Sequence, residues 1–259
     1  MKLLRITLIQ TPLIWEDREA NISLIDAAIE QIGEPTDLVV LPEMFTTGFS
    51  MHPEQFAEDF NGPTVAWMKQ RAKAQQVALA GSMMMQDKGK YYNTLVFMHP
   101  DGHADFYRKR HLFTLGEEHA HYTAGGKQVM IEYKGYHILL AVCYDLRFPV
   151  WLRRTPAMNY DLLLLVANWP ERRNTHWKNL IQARAIENQS YVAAVNRVGE
   201  DGNGVAHSGD SALINAKGEI LFQLANQPFV KTFSIEKDET NAYRLSFNLL
   251  ADADTFTLL

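Results

Sequence analysis

The chain's one cysteine, Cys143, closes the apolar run ILLAV at 138–142 and is followed directly by YDLRFP. A thiol in that place could attack a carbonyl carbon. Taken alone, an isolated cysteine is ordinarily a small buried core residue. Its position argues for chemistry, because ligands of α/β sheets collect beyond the carboxyl ends of strands, and Cys143 stands where an apolar run gives way to polar residues. Backbone N–H groups at such a turn could hold the oxyanion that thiolate attack creates. An unperturbed thiol, with a pKa of ~8.5, is mostly protonated near neutrality and needs a base. Histidine is the usual helper, yet none of the nine histidines announces a pairing. His137 shares a strand face with Cys143 but would lie ~20 Å away along an extended chain.

Two other segments offer what a thiol needs. In DLVVLPEMFTTGFS, Pro42 ends a buried run and leaves Glu43 the first residue free to turn into a cleft. A lone glutamate at a strand end ordinarily points into water. Here Leu41, Met44 and Phe45 would partly desolvate it, as a general base requires. In FYRKRHLFTLGEEHAHYTAGG, three consecutive cations would ordinarily form a solvated edge, but alternation puts Tyr107, Lys109 and His111 on one face and Arg108 and Arg110 on the other. A lysine aimed into a site could stabilise an oxyanion, with Glu117 or Glu118 orienting it. His119 and His121 invite a metal, but no further His or Cys cluster completes a recognised zinc spacing, so no metal is expected. The GEDGNG loop at 199–204 lacks a phosphate-loop ending and reads as a turn only.

The elements that must position these residues alternate along the chain. LLRITLIQ, DLVVLPE, VALAGSMMM, YHILLAVCYD, DLLLLVANWP and YVAAVNRVG read as strands, most of them apolar on both faces. NISLIDAAIEQIG, TVAWMKQRAKAQQ and THWKNLIQARAIENQ read as amphipathic helices, the second started by Asn61-Gly62-Pro63. YYNTLVFMHPDGHADFYRK and SALINAKGEILFQL read as hairpins. From Thr240 onward periodicity fades apart from AYRLSFN, and these last ~20 residues are expected to form an arm at a dimer interface. No repeat or linker interrupts the chain, so residues 1–259 are expected to form a single α/β domain of mixed sheets covered by helices.

Composition narrows the function classes. With 47% hydrophobic and 21% charged residues the chain is an ordinary globular one. A net charge of −5 argues against general affinity for nucleic acid or an anionic membrane. The N-terminal stretch, interrupted by Arg5, Thr7 and Gln10, reads as a first strand and not a signal peptide. No apolar run approaches the ~20 residues of a membrane span. One cysteine allows no intrachain disulfide, which suits a reducing, cytoplasmic setting.

Together and in order, LPEMF, YRKRHLF and CYDLRFP resemble the carbon–nitrogen hydrolase (nitrilase) superfamily, and VANWP, THWKNLIQARAIENQSYV and HSGDSALINAKGEI extend the likeness over nearly the whole chain. The resemblance implies a four-layer α-β-β-α sandwich and a Glu-Lys-Cys triad: Glu43 as general base, Lys109 as oxyanion-stabilising lysine, Cys143 as nucleophile. It implies a supporting glutamate at Glu118, seven residues before Gly125, with Glu117 left open, and an oxyanion contact from the Tyr144 backbone. CYDLRFP and KRHLF are similar to the omega-amidase branch, whose members hydrolyse the side-chain amide of 2-oxoglutaramate or 2-oxosuccinamate through a cysteine thioester. A small-molecule amide substrate, no cofactor and a homodimer are thereby expected. A substrate carboxylate calls for a cation, with Arg147, Arg172 and Arg173 as candidates, and Asn168 and Trp169 are expected at the mouth of the site. The rivals are a carbamoylase or general aliphatic amidase with the same triad, and a non-catalytic interaction module that keeps the fold.

Overall fold

The computed structural model describes residues 3–257. Its first sheet is six-stranded. Strands β1 (Leu3–Gln10), β2 (Leu38–Val40) and β3 (Ala78–Asp87) are parallel, and β4 (Lys90–Met98) and β5 (Ala104–Arg108) follow as an antiparallel hairpin. The apolar runs are continuous because both faces are covered. Leu38, Val40, Ala78 and Ala80 face the second sheet, while the alternate residues Val39, Leu41 and Leu79 face helices α1 (Arg18–Glu30) and α3 (Pro63–Gln75). Helix α1 starts earlier than its apolar period implies, because the Asp17 side chain accepts from the Ala20 N–H and caps it. The short helix α2 (Pro53–Phe56) lies in the long connection between β2 and α3.

The second sheet is seven-stranded and packs face to face on the first. At its centre β7 (Tyr136–Val142), β8 (Leu162–Ala167) and β9 (Tyr191–Asn196) run parallel. β6 (Met130–Tyr133) edges one side; β10 (Val198–Glu200), β11 (Ala206–Ile214) and β12 (Ile220–Ala225) complete the other. Between β5 and β6, the one-turn helix α4 (Glu118–His121) follows a 3-10 turn at Thr114–Gly116. Helix α5 (Asn174–Asn188) buries Trp177, Ile181 and Ala185 against the far face, which makes four layers, α-β-β-α, in one domain. No helix among the described residues is long and apolar enough to cross a membrane.

Two elements differ from the sequence reading. Strand β13 (Phe229–Glu236) pairs antiparallel with β1 over eight residues and closes the first sheet's edge, although its own pattern is only half buried. The segment expected to lose periodicity from Thr240 begins inside helix α6 (Lys237–Ser246). That helix buries only Thr240, so no apolar stripe marks it. Polar contacts dock it: Arg244 donates to the Asp161 carboxylate and to the carbonyls of Tyr160 and Gln189, and Lys237 pairs with Asp161.

The core between the sheets carries the fold's stability. Leu164 is fully buried in it. Leu164→Ala is expected to cost about 2–5 kcal/mol, read as a lower midpoint in guanidinium unfolding with an unchanged slope.

Candidate active site

The parallel strands of both sheets end on one side of the sandwich, and the sequence-predicted residues stand at those ends. Glu43 follows β2 by three residues, Lys109 follows β5, Cys143 follows β7 and Asn168 follows β8. Cys143 opens a 3-10 turn, Cys143–Arg147, with φ +44°. That left-handed conformation is costly for a residue with a Cβ and turns the chain abruptly off the strand. Met44 beside Glu43 has φ +43°, and its N–H donates to the Ser82 hydroxyl at 2.9 Å.

Lys109 lies buried between two carboxylates. Its Nζ donates to Glu43 Oε1 at 3.0 Å and to both oxygens of Glu118 at 2.9 Å. Asn93 on β4 donates to Glu43 Oε1 at 2.8 Å and to Glu118 Oε1 at 3.3 Å, and these two acceptors fix which way its amide faces. The other oxygen of Glu43 accepts the Asn168 N–H at 2.7 Å, and the Asn168 side chain donates to the Glu43 carbonyl. Glu118 Oε2 also accepts the Phe113 N–H at 2.6 Å. Three fixed donors thus hold the Glu43 carboxylate in one rotamer and leave Oε2 room for a further partner. Glu117, the alternative to Glu118, is exposed and serves as the left-handed residue before α4.

The charges set the resting protonation state. Burial pushes the Cys143 thiol well above its ordinary range, the Glu43 charge pushes it further, and Lys109 pulls it back. Burial alone would lower Lys109, but Glu118 and Glu43 outweigh it and hold the ammonium charged. Glu118 is pushed up by burial, pulled down by Lys109 and pushed up again by Glu43, with a net upward direction. The thiol is thus held in its neutral form beside the Lys109 ammonium.

Asp145, two residues past Cys143, ties this turn to the lysine segment. Its Oδ2 accepts from the Tyr107 hydroxyl at 2.7 Å and from the Val142 N–H at 3.1 Å. Its Oδ1 accepts the His111 N–H at 3.0 Å and lies 2.8 Å from His111 Nδ1. Tyr107 and His111, predicted to share a face with Lys109, meet on this one carboxylate. Gly125 is required for close approach: its N–H donates to the Lys109 carbonyl at 2.8 Å, and a Cβ there would overlap the Arg108 carbonyl oxygen.

Cys143 opens onto a cleft of about 170 Å³. Phe49, Met51, Phe113 and Trp169 give it apolar walls, and Tyr144 and Asn168 line its base. Arg147, Arg172 and Arg173 all line it. The Arg147 guanidinium sits 4.7 Å from the Trp169 ring centre, and that of Arg173 sits 5.0 Å from Phe113. Burial lowers the Arg173 pKa, and the charges of Arg172 and Arg147 lower it further. Asp201, Asn203 and Val205 form another part of the wall, so the 199–204 loop is a cleft element and more than a turn.

All the sequence-predicted residues are therefore brought together, with Asn168 engaged by Glu43 as well as facing the cleft. Sequence reasoning missed Asn93 and Asp145. A polar residue inside the apolar strand YYNTLVF, and an acid two residues after the nucleophile candidate, were the available signals. His119 and His121 are exposed. Among the described residues, a possible metal-ligand group is His99, His103 and Asp105 on the β4–β5 turn, where His99 pairs with Asp105 at 2.8 Å and His103 with Asp101 at 2.6 Å.

Comparison with known proteins agrees with this geometry. The model of the carbon–nitrogen hydrolase family matches residues 5–244. The omega-amidase YafV of Escherichia coli K12 is 45% identical over 258 residues, 98% of each chain. A 2-oxoglutaramate amidase of Bacillus subtilis is 32% identical over 95% of this chain and 96% of its own. Among solved structures, a CN-hydrolase superfamily protein of Xanthomonas campestris with an arsenic adduct in its active site is 42% identical, covers 100% of both chains and superposes with a TM-score of 0.97.

The electrostatics make a directional prediction. Glu43→Gln removes a charge that raises the Cys143 thiol and leaves Lys109 to lower it. The pH midpoint of Cys143 alkylation by iodoacetamide is expected to fall in this variant. An unchanged or higher midpoint would show that Glu43 does not govern the thiol.

Proposed function

The chain belongs to the carbon–nitrogen hydrolase family, and we propose that within it this enzyme is an omega-amidase that releases ammonia from 2-oxoglutaramate-type dicarboxylate monoamides. It is a hydrolase of amide carbon–nitrogen bonds. The observation that carries the reading is the buried Lys109 cluster beside Cys143, opening onto a cleft rimmed by three guanidinium groups. A neutral amide fits the reacting end, and a carboxylate fits the arginines.

In this reading Glu43 takes the thiol proton as Sγ attacks the amide carbon. A C–S bond forms and the carbonyl oxygen becomes an oxyanion, held by Lys109 and the Tyr144 N–H. Protonated Glu43 then delivers its proton to the amide nitrogen. The C–N bond breaks and ammonia leaves a thioester on Cys143. Glu43 next takes a proton from water, the resulting hydroxide attacks the thioester, and the C–S bond breaks as Glu43 returns that proton to Cys143 Sγ, giving the dicarboxylate and the free thiol. Glu118 touches no reacting atom and acts by holding Lys109. Arg147 and Arg173 bind the substrate carboxylate, with Trp169 and Asn168 shaping the path to Cys143.

We also propose a cytoplasmic homodimer. The support is the apolar surface at the end of α6, where Leu245 is 87% and Phe247 53% exposed beside the end of α5, which exposes Ile186. Sedimentation velocity is expected to give a dimer for the native chain and a monomer for Leu245→Glu with Phe247→Glu. A native monomer would overturn this.

The decisive assay is ammonia release. The native enzyme is expected to favour 2-oxoglutaramate over N-carbamoyl amino acids and unbranched aliphatic amides, and Cys143→Ala is expected to lose all turnover while keeping its thermal transition. Preference for a carbamoyl compound would move the enzyme to the carbamoylase reading. Retained turnover in the alanine variant would remove the nucleophile assignment.

A further inference from the structure

His207 sits near the start of β11 and lines the cleft, although only 5% of the residue is exposed. Its Nδ1 is buried and makes no hydrogen bond of ordinary geometry among the described residues, although the backbone of Val205 and Gly199 lies against the ring. Burial, reinforced by the charge of buried Arg197, lowers its pKa to about 4, so the ring is a neutral imidazole. Such a ring has one nitrogen that donates and one that accepts. Buried polar groups are nearly always paired, so an unpaired one in a cleft wall marks a place where a ligand or water completes the bonding.

The cleft thus presents two kinds of polar group from separate chain segments. Arg147, Arg172 and Arg173 offer fixed positive charge, which suits a carboxylate. His207 offers an uncharged hydrogen bond, which suits a ketone oxygen better than an anion. A 2-oxo acid carries both groups on adjacent carbons. We infer that His207 is a specificity-determining residue that hydrogen-bonds the 2-oxo oxygen of the substrate while the arginines take its carboxylate. This rests on the omega-amidase reading, which places a 2-oxo group at that end of the molecule.

The same logic gives the discrimination. A site built to hydrogen-bond a substrate atom rejects the analogue lacking it, because its own polar group is then left unpaired. Glutaramate is 2-oxoglutaramate without the oxo group. It still carries the carboxylate for the arginines and the amide for Cys143.

The test compares kcat/KM for 2-oxoglutaramate and glutaramate in the native enzyme, His207→Leu, His207→Ala and His207→Asn. The ratio of the two values is expected to fall about tenfold in the leucine and alanine variants, chiefly through KM for the oxo substrate, as loss of one hydrogen bond implies. Asparagine, which restores a donor and an acceptor, is expected to recover most of the ratio. An unchanged ratio in a variant that keeps its thermal transition overturns the inference, as does loss of folding in both the leucine and alanine variants, which would assign His207 to the fold. If the native enzyme hydrolyses neither compound, the omega-amidase reading itself fails and this inference with it. A native enzyme active on 2-oxoglutaramate with no change of ratio removes the inference alone.

Discussion

One buried ammonium organises this protein. Lys109 has no access to water, so its charge must be met by Glu43 and Glu118, which stand at 3.0 and 2.9 Å. Removing one partner from a buried ion cluster ordinarily costs about 3–5 kcal/mol, since the remaining charges are left uncompensated. The same balance governs the proposed chemistry. With two carboxylates around one cation, a thiolate formed by losing its proton to solvent would add a third buried anion. Passing that proton to Glu43 leaves the total charge of the cluster unchanged. In the proposed reaction base and nucleophile are therefore one charge system, and the histidine that usually serves a catalytic thiol has no place to fill.

That system demands atoms held in fixed places by chain segments far apart in sequence. The sandwich supplies them by ending strands from both sheets on one side. Glu43 comes from the first sheet and is fixed by Asn168 from the second, across 125 positions of chain. The turn at Cys143 is bound to the lysine segment through Asp145, which receives Tyr107 and His111 from one side and Val142 from the other. Cys143 at φ +44° is an unfavourable conformation that these bonds over-determine. The arrangement costs local backbone energy and gains a preorganised site.

The parts legible in the sequence are those where the local pattern and the tertiary role coincide. Cys143 and Glu43 each follow an apolar run that stops abruptly, Lys109 shows by its alternation with Tyr107 and His111, and two-sided burial of the central strands shows as unbroken apolar stretches. Asn93 and Asp145 were not legible as site residues because their partners are brought in by the fold alone. Nothing local says that an asparagine in β4 will meet two carboxylates. Strand β13 and helix α6 escaped for another reason. Each has a half-exposed surface and is held by pairing with β1 or by the ion pairs of Asp161, so neither carries an apolar period. His207 was visible only within the HSGDSALINAKGEI likeness, since its neighbour Gly199 is brought beside it by the pairing of β10 with β11.

The reacting end and the recognition end of the cleft differ in charge, and this bears on direction. At the reacting end the buried cluster sets two carboxyl groups around one ammonium, while the amide it receives is neutral. Hydrolysis replaces that amide by a carboxylic acid, which loses its proton near neutrality. The new carboxylate then stands beside Glu43 and Glu118 in a medium where like charges repel far more strongly than in water. In the proposed reading the carboxylate at the other end lies against the arginines that line the cleft and feels no such change. Substrate and product therefore bind the recognition end alike and differ at the reacting end. In the proposed reaction the same buried carboxyl groups that raise the thiol therefore also disfavour the product carboxylate.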